Sequence, residues 1–324
     1  MANTAFSPAN SVTPTTAATF IPEIWSDEII AAYKKNLVLA NLVMKMNFRG
    51  KKGDTVHIPA PTRGSASAKV STDAVTLIAA TESEVQVSIN KHYEYSRLIE
   101  DIVEAQALNS LRQFYTADAG YALARRVDTD LVQLGRAFNG ATVGTDDYAT
   151  STSTTKAYIG SDGTTAYNSS TSNAAALTDA AIRRTIQRLD DNDTPMDGRF
   201  FIIPPSSRNT LMGLARYTEQ AFVGDGSAIR NGEIGNLYGI PVFVTSNADF
   251  GAGSGGADRI CLMGHRDSMV LVEQMAVRSQ TQYKQEYLGT LFTADTLYGV
   301  KAIRTAATTG AALSSSAFAL AVPA

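Results

Sequence analysis

The 324-residue chain is 44% hydrophobic, which supplies ample material for a core and predicts two or more subdomains. A net charge of -3 excludes a bulk basic field that grips nucleic acid by phosphate neutralisation, though not a container whose wall has no need to grip. The single cysteine, Cys261, excludes a disulfide framework or cysteine-rich metal site within one chain, and its run Ile260-Cys-Leu-Met263 reads as a buried small hydrophobe.

From the amino terminus, residues 1–22 carry no charged side chain and include Pro8, Pro14 and Pro22. Such a segment is extended on its own, either a disordered tail or an arm that orders against a partner. It lacks the basic and apolar regions of a signal peptide, and no apolar run approaches the ~18 residues that span a bilayer, so a soluble, cytoplasmically made protein is expected. A helix is predicted next, with Ser26 as cap, Asp27 and Glu28 in its first turn, and Ile29, Ile30, Tyr33 and Leu37 as its apolar face.

Residues 49–99 read as a long two-stranded ribbon. Val56 and Ile58 share one side of a strand that Pro59 and Pro61 stop. On the return strand Val85, Val87, Ile89, Tyr93 and Tyr95 face one way, and Glu84, Gln86, Ser88 and Asn90 the other. The intervening residues 63–80 are small and polar. An arm of ~14 residues reaches roughly 45 Å at the rise of a strand. Since an isolated hairpin is marginal in water, the ribbon is expected to lie on another surface, most simply a neighbouring copy of the chain. An ordinary hairpin folded onto its own domain is the alternative.

A long helix is predicted over residues 100–136, with Leu98, Ile102, Leu108, Leu111, Tyr115, Ala119, Val127, Leu131 and Leu134 recurring mostly at three or four. Arg112, Arg125, Arg126 and Asp128 fall off that face, and Gly120 is a point of interruption. Residues 139–173 are Gly-, Ser-, Thr- and Asn-rich and read as a long loop or thin β-structured insertion. The second half is mixed α/β. Thr178 caps a helix bearing Ile182, Ile186 and Leu189; Arg199 to Ile203 is a buried strand; Ser206 or Ser207 opens a further helix. Strands follow at Gly239 to Val244, Arg259 to Met263, Ala276 to Thr281 and Leu297 to Ile303, with a glycine-rich turn at Gly251 to Gly256.

Catalytic chemistry is nearly absent from the pattern. His57, His92 and His265 lack metal-ligand spacing, and His57 reads as a surface residue. Gly251-Ala-Gly253-Ser-Gly-Gly256 precedes a strand rather than a helix and so lacks the helix end that holds a pyrophosphate. Asp190, Asp191, Asp193 and Asp197 surround Pro195 without the bidentate glutamate of a calcium loop, and read as a solvated turn. No catalytic, cofactor-binding or metal-binding residue is assigned, and the chain is expected to assemble rather than catalyse.

Three blocks carry a family resemblance: Asn231-Gly-Glu-Ile-Gly-Asn-Leu-Tyr-Gly-Ile-Pro-Val242 with Thr245-Ser-Asn247, Arg259 to Val270, and Leu297-Tyr-Gly-Val-Lys-Ala-Ile-Arg304. With the order arm, ribbon, long helix, mixed domain and closing strands, the chain resembles the major capsid proteins of tailed bacteriophages, with the Hong Kong 97-like α+β fold. The resemblance implies residues 1–48 as amino-terminal arm and short helix, and 49–99 as the extended loop over an adjacent subunit. It implies 100–177 as spine helix and peripheral domain with the insertion, 178–257 as axial domain, and 258–324 as closing strands and tail. It also implies pentamers and hexamers in an icosahedral head, made in the bacterial cytoplasm and holding double-stranded DNA without sequence-specific contacts or any membrane. A scaffolding protein, a portal and a decoration protein are the further partners implied. With only a short stretch before the ribbon, assembly guidance is expected from a separate scaffold rather than from a removable leading domain. Lys69 lies where some relatives form an isopeptide crosslink, but no matching motif accompanies it. Encapsulin-like shells, tail tubes and surface arrays are the alternative assemblies, and an enzyme with an unrecognised site is a third class.

Overall fold

The computed structural model describes residues 38–61, 66–69, 71, 74–75, 77, 82–101, 110–135, 157–167, 173–214, 235–247, 258–304 and 316–324. The expected arm, the helix at Ser26, most of the 139–173 stretch and the turn Gly251 to Gly256 lie outside them.

Two sheets share one long helix. The first has strand order β1-β10-β11-β4, formed by β1 (Met44–Asn47), β10 (Met269–Lys284), β11 (Gly289–Ala302) and β4 (Lys91–Glu100). Strands β10, β11 and β4 are antiparallel, while β1 joins β10 in parallel along Met44 to Asn47. Helix α2 (Ser110–Gly135) crosses one face of this sheet. Its Ala119 and Leu123 pack on Phe292 and Ala294, and its Leu131 and Leu134 pack on Met269, Leu271, Tyr298 and Val300. Leu98 and Glu100, read at the start of the helical pattern, belong instead to β4, paired with Leu291 and Gly289, and the expected first turns at 102–109 lie outside the described residues. Gly120 does not interrupt it.

The second sheet has order β5-β12-β9-β6-β8-β7: β5 (Tyr158–Ile159), β6 (Arg199–Ile203), β7 (Asn236–Leu237), β8 (Ile240–Val244), β9 (Asp258–His265) and β12 (Ala317–Pro323). One face carries helix α3 (Asp179–Asp191) and helix α4 (Pro205–Met212), which bury Ala181, Ile182, Leu189 and Leu211 on Phe201, Ile203, Cys261, Met263, Phe318 and Leu320. Phe200, Ile202, Leu262 and Ala317 face the other way, into the core around Leu131 and Leu134. The carboxyl half of α2 is therefore clasped by both sheets.

Local chemistry explains the ends. The hydroxyl of Thr178 accepts from the Ala181 N–H, capping α3 as its sequence predicts. Helix α4 opens not at a serine but with Pro204 as cap and Pro205 at the first position, where a missing N–H leaves nothing unpaired. Tyr238 and Gly239 both have positive φ, 52° and 82°, the twist that joins β7 to β8 in a two-residue hairpin.

The carboxyl-terminal tail and the placing of Asp128 need correction, and the β-structured alternative for residues 139–173 gains a partner over 157–167. The carboxyl-terminal segment read as a tail supplies β12, buried from Ala317 to Val322 and paired with β9 along its length. Within the presumed insertion, residues 157–167 fold against it: β5 pairs in parallel with Leu320 and Ala321, and Tyr167 is buried beside Ala319 and Ala321. The small alanines on that face of β12 leave room for the Tyr167 ring, whose hydroxyl donates to Asp258 Oδ2 at 2.7 Å. Asp128, read as lying off the apolar face of α2, is fully buried.

Candidate assembly surfaces

The ribbon divides into two parts with different surroundings. Strands β2 (Thr55–Pro61) and β3 (Glu82–Ser88) form the antiparallel hairpin, in register from Thr55 opposite Ser88 to Pro61 opposite Glu82. Pro59 and Pro61 sit within β2 rather than stopping it, as edge positions permit. The hairpin's base does find apolar cover in its own chain: Val56, Val87 and Ile89 are buried against Val270 and Val272, on the sheet face opposite α2. Contact is close enough that a Cβ on Gly299 would stand 2.4 Å from the Ser88 carbonyl oxygen. Beyond Asn90 the chain exchanges partners and becomes β4, whose Tyr93 and Tyr95 pack on the α2 side instead.

Away from that base, exposed apolar side chains among the described residues include three groups, besides Val277 on β10 and Met212 at the end of α4. In the loop between β2 and β3, Val75 is 71% and Leu77 89% exposed. At the far end of the first sheet, Leu98, Tyr283, Tyr287 and Leu288 are exposed around the β10–β11 turn, where Leu288 takes a positive φ of 43° and the Tyr283 hydroxyl donates to Asp101 Oδ2 at 2.7 Å. On the second sheet, Met196 and Tyr238 are exposed, with the Tyr238 hydroxyl donating to Asp179 Oδ1 at 2.5 Å. Single exposed apolar residues are ordinary, but clusters at the ends of protrusions suit contacts with other chains.

Residues weighed for chemistry have structural surroundings. His57 is exposed, with Nδ1 2.9 Å from Glu84 Oε2. Glu84 also accepts from Gln86 Nε2 at 2.6 Å, and these two bonds, Gln86's first, hold its carboxyl below the ordinary value. His92 Nε2 lies 3.1 Å from Asp295 Oδ2, and Asp295 takes both Nε and Nη2 of Arg278, at 2.8 and 3.0 Å. His265 is buried, donating from Nε2 to the Asp197 carbonyl and accepting the Asp267 N–H at Nδ1. The aspartate-rich turn wraps around a cation of its own chain: Arg199 donates to Asp190 Oδ1, the Thr194 carbonyl and the Pro195 carbonyl. Cys261 is buried against Ser207, and burial pushes its thiol up to about 12. Lys69 is exposed. Among the described residues no group of three or more His, Cys, Asp or Glu is placed to hold a metal ion, and no helix is long and apolar enough to cross a membrane.

Sequence reasoning missed the polar junction that Asp128 makes beside Leu39 and Ala40. Asp128 Oδ1 accepts the N–H groups of Leu39 and Ala40 at 2.8 and 3.2 Å, and Oδ2 accepts Asn247 Nδ2 at 2.9 Å. The only available signal was Asn247 itself, the last residue of the Thr-Ser-Asn block.

A family model described as phage capsid protein matches residues 22–309. No curated relative matches the sequence. Among solved structures, the chain is similar to one from Mycobacterium phage Che8, with 21% identity and a TM-score of 0.70, covering 93% of this chain and 97% of that one. The capsid structure of cyanophage P-SCSP1u aligns over 99% of this chain and 98% of its own, with 17% identity and a TM-score of 0.72. The capsid of Ralstonia phage GP4 aligns over 94% and 95%, with 14% identity and a TM-score of 0.66.

Proposed function

The chain belongs to the phage capsid protein family, and from that premise we propose that it is the repeating subunit of a closed icosahedral head. In this reading pentamers and hexamers form the shell, double-stranded DNA fills it, and assembly takes place in the bacterial cytoplasm. The observation that carries it is the hairpin whose base is buried on its own sheet while its loop holds Val75 and Leu77 in solvent. A covered base aims the hairpin, and its uncovered end gains by lying on a sister subunit. Full-length alignment with two capsid structures agrees with one subunit design rather than a shared fragment.

The proposed division follows the two sheets. The first sheet with α2 is the peripheral body and spine, the second sheet with α3 and α4 is the axial body, and residues 1–37 are the arm. Contacts at several protrusions can each be weak, because the first raises the effective concentration of the rest. A scaffold, a portal and a decoration protein complete the proposed set of partners.

Negative-stain microscopy of the expressed chain, alone and with candidate scaffolding proteins, tests this. Closed round shells are the expected result, and nuclease-protected double-stranded DNA inside particles purified from infected cells is the second measurement. Shells holding an enzyme would favour a compartment, and tubes or sheets a tail or array protein. A monomer at every concentration and with every helper would overturn the reading.

A further inference from the structure

Asp128 ties together three stretches of chain that are far apart in sequence. It sits on α2, fully buried, and all of its contacts are donors: the Leu39 and Ala40 N–H groups on one oxygen and Asn247 Nδ2 on the other. Asn247 in turn reaches Thr129 Oγ1 at 3.3 Å, and its own N–H donates to Thr245 Oγ1 at 3.1 Å. The Thr245 N–H is held by the Ile203 carbonyl of β6. An unbroken chain of bonds therefore runs from Leu39 and Ala40, through the long helix, to the end of β6, an interior strand of the second sheet.

We propose that Asp128 is a positioning residue: it couples the placement of the Leu39–Ala40 backbone to the seating of the Thr245–Asn247 turn. Burial makes the link stiff, since an unmatched polar atom there costs the full desolvation of that atom. Its consequence for shells rests on the capsid reading above; the coupling itself does not.

Asn247→Leu tests the coupling from the far side, because the hydrogen bonds of Asn247 go to Asp128, Thr129 and Thr245 and those of the Leu39 and Ala40 amides to Asp128. In the unassembled chain, hydrogen exchange at the Leu39 and Ala40 amides is expected to rise by roughly tenfold, as a local opening costing about 1.4 kcal/mol less would allow. The paired exchange Asp128→Asn with Asn247→Asp re-creates a donor facing an acceptor and is expected to restore protection, whereas either change alone is not. Shell yield should fall in Asn247→Leu and recover in the paired variant. Unchanged exchange in Asn247→Leu, or failure of the pair to restore it, overturns the coupling. Raised exchange with normal shell yield overturns the assembly role. Absence of shells from the unaltered chain would count against the capsid reading and leave the exchange result to stand.

Discussion

Gly299 and Gly120 occupy opposite situations. A Cβ at Gly299 would meet the Ser88 carbonyl oxygen at 2.4 Å, whereas at Gly120 it would meet nothing within 4 Å. Gly299→Ala is expected to lower stability by about 1–3 kcal/mol through forced separation of hairpin and sheet. Gly120→Ala, on an open helix position, is expected to raise it by up to about 1 kcal/mol. Urea unfolding of both variants checks the pair. Asp162 offers a pH test at the same scale. The Thr165 hydroxyl and the Thr164 and Thr165 N–H groups hold its carboxyl at about 2, down from 3.8. A depressed folded value adds stability that is whole above the unfolded value and lost as pH falls through the folded one. Thermal midpoints should therefore fall less steeply in Asp162→Asn than in the unaltered chain between those two values. Neither residue was marked by the sequence, because a close approach and an accepting turn both depend on which groups arrive from elsewhere.

Regular elements were read well where one partner surface serves a whole element. Helix α3 shows its cap and stripe because it packs on one sheet throughout, and β6 its continuous apolar run because both of its faces are covered along its whole length. The return strand failed that condition. Its alternation runs in phase from Val85 to Tyr95, yet Ile89 lies beside Val270 on one sheet face and Tyr93 beside Tyr298 on the other, their rings 5.9 Å apart. Period alone is blind to a change of partner. Strand β12 was overlooked for a related reason: its run Ala-Phe-Ala-Leu-Ala-Val is apolar on both faces, the signature of an interior strand, but its alanines read as a small-residue tail. Removing residues 316–324 is expected to abolish cooperative unfolding and soluble expression, since β5 loses its strand partner and β9 one of its two. Soluble protein with an unchanged circular dichroism spectrum would contradict that.

Across the whole molecule, the folded body and the contact surfaces are separable. Val75 and Leu77 contribute almost nothing to the core, so replacing both with serine should leave the monomer's unfolding midpoint within about 0.5 kcal/mol of the original. On the capsid reading proposed above, the same change should sharply reduce shells by microscopy and sizing, because it removes exposed apolar area offered to an adjacent subunit. A loss of both properties together would mean that the loop folds onto its own body.

From the amino acids alone came the mixed class, the ribbon, the long helix, the buried Cys261 and the family likeness carried by blocks such as Asn236 to Val242 and Leu297 to Arg304. Those features depend on periodicity, turn chemistry and residue size within short windows, which need no knowledge of distant neighbours. Tertiary structure decided that the hairpin's base lies on Gly299, that the carboxyl terminus closes the second sheet, and that Asp128 is buried between Leu39 and Asn247. Each is a meeting of segments some 50 to 210 residues apart, from Ala317 with Gly264 to Ser88 with Gly299. Polar and small residues carry no local mark of such meetings, because their stabilisation comes from the partner and not from their own pattern.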